Sequence, residues 1–452
     1  AQDILQKDIE LKAFEKDLNS FDYDKRRLAL NELAELAANG KVKLEPKTDA
    51  HNLHCHTFFS YNGYGFSPMY IAWLAKKSGW FAAGTVDFDV LDAVDEYLAA
   101  ARQLNIKGVC GLESRAFIGE LSEHEINSPG EPGVAYHMGV GFYTSEAPAE
   151  AAAFLQEMRA KANERTRGIV ELVNPFLAPA SIDFEQAAAE FTPAGNITER
   201  HVCEAYRRKA EELFPKKEDR IAFWAEKLST PAEDMAKIIE NDPKLEGLIR
   251  SKTMKSGGVG YVKADPSSFP KIEDMNACIS ACGAIPAIAW LNGESSGEAD
   301  VDALLKLHLE KGAEILNIVP DRNWNFPDEE VAKKKMAELD RIIAAAVAAD
   351  MPILVGTEMN APGLKLVDTF DSPALAKHTR TFVDGAATVF AHTLLGPAGF
   401  GLLSDWAVAN FSDRAARNAF FVKFGREASF KCEAAIKELS ENATPEDILA
   451  VI

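Results

Sequence analysis

The sequence predicts an α/β protein built on a sheet or barrel of parallel strands. From about residue 50 onward, short apolar runs alternate with helical patterns, and this alternation is typical of β-α-β units. Helical connections return the chain to the same end of the sheet, so the strands are expected to run parallel. The apolar runs are Phe81 to Val86, Gly108 to Leu112, Val134 to Phe142, Ala284 to Trp290, Ile315 to Val319 and Ile353 to Val355.

Three helical stretches accompany the predicted barrel, which spans residues 49–365. Residues 1–48 form an N-terminal helical extension, because leucines recur at helical spacing and Gly40 follows as a stop signal. Residues 146–254 are rich in Ala, Glu, Lys and Arg and are interpreted as a helical insertion. Residues 366–452 form a C-terminal helical region.

Composition excludes several classes of protein. The 452 residues carry 69 acidic and 49 basic side chains, a formal charge of −20, which argues against a nucleic-acid or anionic-membrane surface made by bulk charge. No apolar run is long enough to cross a membrane, and the first residues are polar where a signal peptide would be apolar. The chain begins with Ala, so whether a targeting segment was removed stays open.

The six cysteines are scattered without a CxxC pair. Reduced thiols in a cytoplasm are therefore the expectation. Both terminal helical regions offer surfaces for a second copy of the chain, and a homo-oligomer is an expectation that the sequence leaves open.

A His-x-His pattern marks the end of the first predicted strand, at His54 and His56. Side chains alternate faces along a strand, so the two imidazoles point the same way and can chelate one ion. The alternative is a pair of solvated loop histidines. Context favours the metal, because Glu113, His137 and Glu358 also lie in or just after apolar runs. In a barrel of parallel strands the carboxyl ends meet at one mouth, which would bring these residues together.

These residues carry a resemblance to a known family. Leu53-His54-Cys55-His56-Thr57, Gly84-Thr85-Val86-Asp87-Phe88 and Gly111-Leu112-Glu113 together resemble motifs of the PHP (polymerase and histidinol phosphatase) superfamily. Members are distorted seven-stranded (βα) TIM-like barrels that hold up to three divalent ions and typically hydrolyse phosphoesters. The resemblance covers roughly residues 50 to 365 and implies the same fold here.

The resemblance also implies site residues. It makes His54 and His56 the first metal pair, Glu113 a bridging carboxylate, His137 a ligand of a second ion and Glu358 a further ligand. The remaining family ligand positions hold residues that coordinate weakly or not at all. They are Asn62, Phe88, Trp290 and Asn360.

These substitutions predict one or two ions, with zinc, manganese or iron suited to the nitrogen and oxygen set. The third site is expected to be absent. If the rings of Phe88 and Trp290 point into the mouth, they give it an apolar wall, and Asn62 and Asn360 become substrate contacts. The alternative is that both rings belong to the core.

Four other residues are candidates for catalytic or binding roles. Asp87 is interpreted as a carboxylate that orients a ligand histidine, with a buried helix cap as the alternative. Arg115 shares the strand face of Glu113 and is expected to reach a phosphate. Arg200 and His201, in the first turn of a helix capped by Thr198, are candidate anion contacts, with a solvated helix start as the alternative.

The predicted function is metal-dependent hydrolysis of a small, phosphorylated substrate. The ion would lower the pKa of a bound water at the barrel mouth. Two alternatives stay open: hydrolysis of a C–O or C–N bond in an amidohydrolase-like manner, and a catalytically weak protein that binds a metal or ligand.

Overall fold

The computed structural model of the protein describes residues 2–263 and 265–452. Within these residues, seven strands form one sheet in chain order, which confirms the predicted TIM-like barrel architecture. The strands are β1 (His51–Cys55), β2 (Ala82–Phe88), β3 (Lys107–Phe117), β4 (Val134–Val140), β5 (Ile285–Trp290), β6 (Ile315–Ile318) and β7 (Ile353–Val355).

Helices connect and extend the sheet. Among the described residues, none of them combines the length and apolar character needed to cross a bilayer. They are α1 (Gln2–Asp17), α2 (Tyr23–Ala38), α3 (Pro68–Lys77), α4 (Val94–Leu104), α5 (Ala149–Leu177), α6 (Phe184–Phe191), α7 (Glu199–Leu213), α8 (Lys217–Lys227), α9 (Ala232–Ile238), α10 (Asp242–Thr253), α11 (Ile272–Ala281), α12 (Val301–Glu310), α13 (Glu329–Ala348), α14 (Thr379–Leu395), α15 (Asp405–Asn410), α16 (Arg414–Glu427), α17 (Glu433–Lys437) and α18 (Pro445–Leu449).

The chain divides into two compact units. The first comprises residues 1–57, 62–154 and 265–452 and contains the whole sheet. The second comprises residues 58–61 and 155–264 and is helical, with its own apolar core around Trp224 and Tyr206.

One strand departs from the parallel arrangement that the sequence predicts. β4 pairs antiparallel with both β3 and β5, whereas the other pairs in the sheet are parallel. The connection from β3 to β4, residues 118–133, contains only a short 3-10 helix, Gly119–Leu121. A parallel return usually runs through an α-helix, which this connection lacks, and a reversal of direction needs none.

The sheet curls so that its first and last strands approach each other. Cys55 at the end of β1 forms an isolated parallel bridge with Glu358. The backbone N–H of His56 donates to the carbonyl of Glu358 at 2.8 Å. The segment after β7 therefore lies beside the end of β1, where the His-x-His pattern is.

The C-terminal helices pack against the barrel through close backbone approach. Most of α14 is buried. A Cβ on Gly385 would lie 1.9 Å from the carbonyl oxygen of Ile353 in β7, and a Cβ on Gly425 would lie 1.8 Å from that of Ala387. Only glycine fits at both positions without moving backbone.

The N-terminal helices are held to the barrel by a buried ion pair. Arg26 on α2 donates through Nε to Glu96 on α4 at 2.9 Å, and both side chains are buried. Burial raises the pKa of Glu96 despite the guanidinium beside it. Losing either partner would leave the other charge buried, which is far more costly than losing an exposed pair.

His392 on α14 is buried as a neutral imidazole. Its Nε2 lies 2.9 Å from the carbonyl oxygen of Gly283, and its Nδ1 accepts from the backbone N–H of Leu402 at 2.9 Å. A second proton, on Nδ1, would face the backbone N–H of Leu402, and two donors cannot form a hydrogen bond. Burial lowers the pKa of His392 to about 4.

We expect His392 to make the folded state sensitive to acid. Its folded pKa, about 4, lies below the ordinary value of 6.5, so its contribution to stability is complete above pH 6.5 and is lost as the pH falls toward 4. A glutamine does not titrate, so the free energy of unfolding of His392→Gln should fall less steeply in this window, by about 1.4 kcal/mol per pH unit. Urea denaturation measures both slopes. His124 is exposed, and His124→Gln should keep the wild-type slope.

Candidate metal centre

Three side chains that the sequence singles out meet at the carboxyl end of the parallel strands. His54 lies on β1, His56 follows it, and Glu113 lies on β3. The Nε2 atoms of the two histidines are 3.3 Å apart, and Glu113 Oε2 is 3.4 Å from the first and 3.2 Å from the second. All three residues are buried. The alternation of β1 therefore places both imidazoles on one face, as predicted.

The triangle of ligand atoms has the dimensions of one coordination sphere. Ligand atoms about 2.1 Å from one ion at tetrahedral angles lie about 3.4 Å apart. Among the described residues, Glu113 Oε2 has no hydrogen-bond donor. Two imidazole nitrogens and one carboxylate oxygen suit zinc, manganese or iron. The residues present thus fit a divalent ion.

The electrostatics of the group couple its members. Burial opposes ionisation of Glu113, but the adjacent histidines outweigh it and hold the pKa of this carboxyl below its ordinary value. Burial disfavours the charged form of His54, yet Glu113 and Glu358 outweigh it and raise the pKa of His54. A proton and a metal ion therefore compete for the same imidazole nitrogen, and metal affinity should fall at low pH.

Asn317 on β6 orients His54, a role that the sequence analysis missed. Its Oδ1 lies 2.9 Å from His54 Nδ1. An amide oxygen can only accept, so Nδ1 carries the hydrogen and the lone pair of Nε2 faces the group. Such a partner is the usual companion of a ligating histidine. Its position near the end of a parallel strand is the signal that could have found it.

Asp87 fixes the backbone immediately after the second histidine. Its carboxylate accepts from the backbone N–H and the hydroxyl of Thr57, both at 2.8 Å. These two bonds hold the backbone next to His56, and the predicted orientation of a ligand histidine by Asp87 stays a prediction.

Asn62 shapes the loop that follows. Its Nδ2 donates to the carbonyl of His56 at 2.8 Å, while its Oδ1 accepts from the backbone of Tyr64 at 2.8 Å and of Phe66 at 3.2 Å. These bonds occupy the amide within the loop. Asn62 is not among the residues that line the pocket described below, and its predicted substrate contact stays a prediction.

Glu358 follows β7 and lies in a turn whose backbone conformation is unusual. Glu358 and Met359 have φ values of 64° and 55°, in the left-handed region that few non-glycine residues adopt. Hydrogen bonds over-determine this turn: Asn52 donates to the Thr357 hydroxyl at 2.7 Å, and Gly63 donates to the Met359 carbonyl at 2.7 Å. Met359 is thereby buried and Glu358 lines the pocket.

A pocket of about 230 Å³ opens beside the three ligand atoms. The rings of Phe88 and Trp290 both line it, and Phe88 stacks on His56 with ring centroids 4.2 Å apart. Asn360 also lines the pocket and donates to Glu358 Oε2 at 3.2 Å. The rings thus give the mouth the apolar wall that the sequence predicts, although Trp290 is also part of a buried apolar cluster.

His137 does not join this group, which corrects its prediction as a ligand. It pairs with Ser114 in the sheet, so it lies on the face opposite to Glu113. Its Nε2 contacts Asn276 Oδ1 on α11 at 2.5 Å, and its ring stacks on His308 of α12. Because β4 is antiparallel, its carboxyl end also points away from the mouth where the parallel strands end.

Arg115 is likewise directed elsewhere. Its guanidinium donates to Glu131 at 2.7 Å and lies over the ring of Phe269. Arg115 is not among the residues that line the pocket, and its predicted contact with a phosphate stays a prediction. The cation in the pocket is Arg322, which follows β6 and contacts Glu358. The sequence analysis missed it, although it obeys the same strand-end rule.

Arg200 and His201 lie in the second unit, at the start of α7. The helix begins after Thr198, as predicted, and His201 Nδ1 accepts from the Thr198 backbone at 3.1 Å in a capping box. Burial lowers the pKa of His201 to about 3. Arg200 lies over the ring of Tyr61. Their part in binding an anion stays a prediction.

Comparison with known proteins yields distant likenesses of structure. No protein-family model and no curated protein sequence matches this chain. An amidohydrolase from Chromobacterium violaceum, solved with bound sulfate and no metal, is 17% identical, with a TM-score of 0.45 over 74% of this chain and 96% of its own. A protein from Bifidobacterium adolescentis, provisionally named a metal-dependent phosphoesterase, is also 17% identical, with a TM-score of 0.45 over 75% of this chain and 98% of its own.

The metal centre can be tested with two histidine variants. We expect His54→Ala to weaken Zn²⁺ binding by more than about 100-fold, because it removes one of three ligand atoms. His137→Gln should bind as tightly as the wild type, since that ring faces α11 and α12. Isothermal titration calorimetry measures both affinities, and circular dichroism confirms folding. Equal losses in the two variants would contradict the placement of β4.

The orienting role of Asn317 gives a second test. Asn317→Leu keeps the volume but removes the acceptor for His54 Nδ1, so the affinity for Zn²⁺ should fall by about 10- to 100-fold. Asn317→Asp retains an acceptor and should restore binding. If the leucine variant bound zinc as tightly as the wild type, Asn317 would be merely a packing residue.

Proposed function

We propose that this chain is a metal-dependent hydrolase that acts on a small phosphorylated substrate at the barrel mouth. The observation that carries the proposal is the triangle of ligand atoms, 3.2 to 3.4 Å apart, beside a pocket lined by two of its members, His54 and Glu113. Three protein ligands with an open side are typical of catalytic sites, whereas structural zinc sites are closed by four.

His54, His56 and Glu113 would hold a divalent ion, which would supply Lewis acidity for polarising a substrate oxygen and activating water. The chain's own residues provide the rest. Asn317 keeps the hydrogen of His54 on Nδ1. Phe88 covers one face of His56 and excludes water from it. Arg322 contacts the Glu358 carboxylate in the wall of the pocket.

Two further features favour a phosphoester over other hydrolysed bonds. Arg322 brings a guanidinium into the wall of the pocket, and its planar fork matches phosphate oxygens. The PHP resemblance seen in the sequence implies the same reaction. The net charge of −20 does not oppose an anionic substrate, because the local field is set by the ion and this arginine.

A second candidate function is ligand binding with little turnover. It is favoured by the outward orientation of His137, which leaves one cluster of three potential ligands among the described residues. We expect one ion per chain, in zinc, manganese or iron form. Amidohydrolase-like cleavage of a C–O or C–N bond is the remaining alternative, and it uses the same centre.

An assay of substrate hydrolysis distinguishes the hydrolase from the binding protein. Protein loaded with Mn²⁺ should hydrolyse p-nitrophenyl phosphate, and His54→Ala should lower kcat/KM by more than about 100-fold, because the metal is lost with its ligand. A chelator should have the same effect, reversed by added Mn²⁺. The control is Arg102→Gln. Arg102 pairs with Glu433 and lies just before the amino end of β3, so this variant should keep full activity.

The substrates discriminate between the outcomes. Hydrolysis of p-nitrophenyl acetate or an anilide, without hydrolysis of the phosphate, would replace the phosphoesterase proposal with the amidohydrolase-like one. Metal bound at one ion per chain with none of these substrates cleaved would favour the binding protein.

A further inference from the structure

The pocket beside the metal centre has an aromatic side. Phe88 stacks on His56 with ring planes 26° apart and is itself half-buried. Tyr136 on β4 lies next to it, with ring centroids 6.4 Å apart, and Trp290 lies at the end of β5. All three line the pocket. Aromatic walls favour flat apolar groups, which stack on them or meet them edge to face.

The polar atoms left unpaired in the pocket wall include two donors. Asn317 Nδ2 and Trp290 Nε1 are buried, and neither has a hydrogen-bond partner among the described residues. Buried N–H groups are paired in most proteins, so unpaired ones at a pocket point to a ligand that supplies acceptors. The unpaired acceptor in the wall, Glu113 Oε2, belongs to the metal centre.

Arg322 adds a charge to these donors. It lies in the 3-10 helix Pro320–Asn323 after β6, and its side chain is 44% exposed while its Nη2 contacts Glu358 Oε2. Among the pocket-lining residues that the structure describes, it is the only Lys or Arg. A guanidinium has five N–H donors, so it can hold an oxyanion and keep a contact with Glu358.

The size of the pocket restricts the ligand. Its volume of about 230 Å³ lies below the usual range for ligand sites, which is about 300 to 1,000 Å³. Such a pocket has room for one ring and one phosphate group. The donors and the aromatic side lie on the same small pocket, so one molecule would meet both.

From these observations we infer that the pocket binds an aromatic phosphate monoester, with its phosphate on Arg322 and Asn317 and its ring against Phe88, Tyr136 and Trp290. The inference rests on the proposed function, because it names the substrate class of the same site. It makes Arg322 a specificity-determining residue that contacts the substrate.

Phosphonates test the inference without turnover, because their P–C bond is not hydrolysed. The probes are phenylphosphonate, methylphosphonate and benzyl alcohol, titrated calorimetrically into Mn²⁺-loaded protein. We expect phenylphosphonate to bind at least about tenfold more tightly than methylphosphonate, because its ring is buried. Benzyl alcohol, which lacks the anion, should bind more weakly than phenylphosphonate.

Variants separate the two halves of the pocket. Arg322→Gln should weaken both phosphonates by about tenfold, because it removes a charge-assisted contact. Phe88→Leu should weaken phenylphosphonate alone, and Phe88→Tyr should restore its binding. The matched control is Arg102→Gln, since Arg102 is a half-exposed arginine paired with a carboxylate away from the pocket. It should bind both phosphonates like the wild type.

Two results would overturn the inference: equal affinity for the phenyl and methyl phosphonates, or unchanged phosphonate binding in Arg322→Gln. Failure here is distinguishable from failure of the proposed function. Selective phosphonate binding by a protein that hydrolyses nothing would uphold this inference and reject the hydrolase. Hydrolysis of p-nitrophenyl phosphate without phosphonate selectivity would support the hydrolase and reject this inference.

Discussion

The arrangement of this molecule depends on holding three ligand atoms within 3.4 Å of one another in a buried site. Two imidazole nitrogens and a carboxylate oxygen at such distances have lone pairs that face each other, which is unfavourable unless a metal ion or a proton lies between them. The barrel brings them together because the ends of β1 and β3 meet at one mouth. The surrounding contacts then fix each ligand in turn.

Those contacts explain why polar residues are buried around the mouth. Asn317 fixes the tautomer of His54, and Asp87 fixes the backbone after His56 through Thr57. The left-handed turn at Glu358 is held by the side chain of Asn52 and by the backbone N–H of His56. A loosely held ligand would cost metal affinity, so these hydrogen bonds serve the site as well as the fold.

Glu358 links the metal centre to the pocket beside it. Its carboxylate contacts Arg322 and also acts electrostatically on His54, so one side chain connects the substrate-facing cation with a ligand. Phe88 is a second link between the metal centre and the pocket, because its ring stacks on His56 and also lines the pocket. The rings of Phe88 and Trp290 thereby shape the wall of the mouth, and the pocket and the site form one continuous surface.

Local sequence patterns were enough to predict the barrel class, the helical extensions and three residues of the candidate metal centre. Alternation along a strand is a local property, so it placed His54 and His56 on one face, and strand-end position indicated Glu113 and the pocket-lining rings. The direction of β4, which turns His137 toward the helices, and the pairing of Arg115 with Glu131 depend on how the whole chain packs. Tertiary structure also decided the roles of Asn317 and Arg322, because hydrogen-bond partners distant in sequence are chosen by how strands and loops pack, and no local pattern encodes that choice.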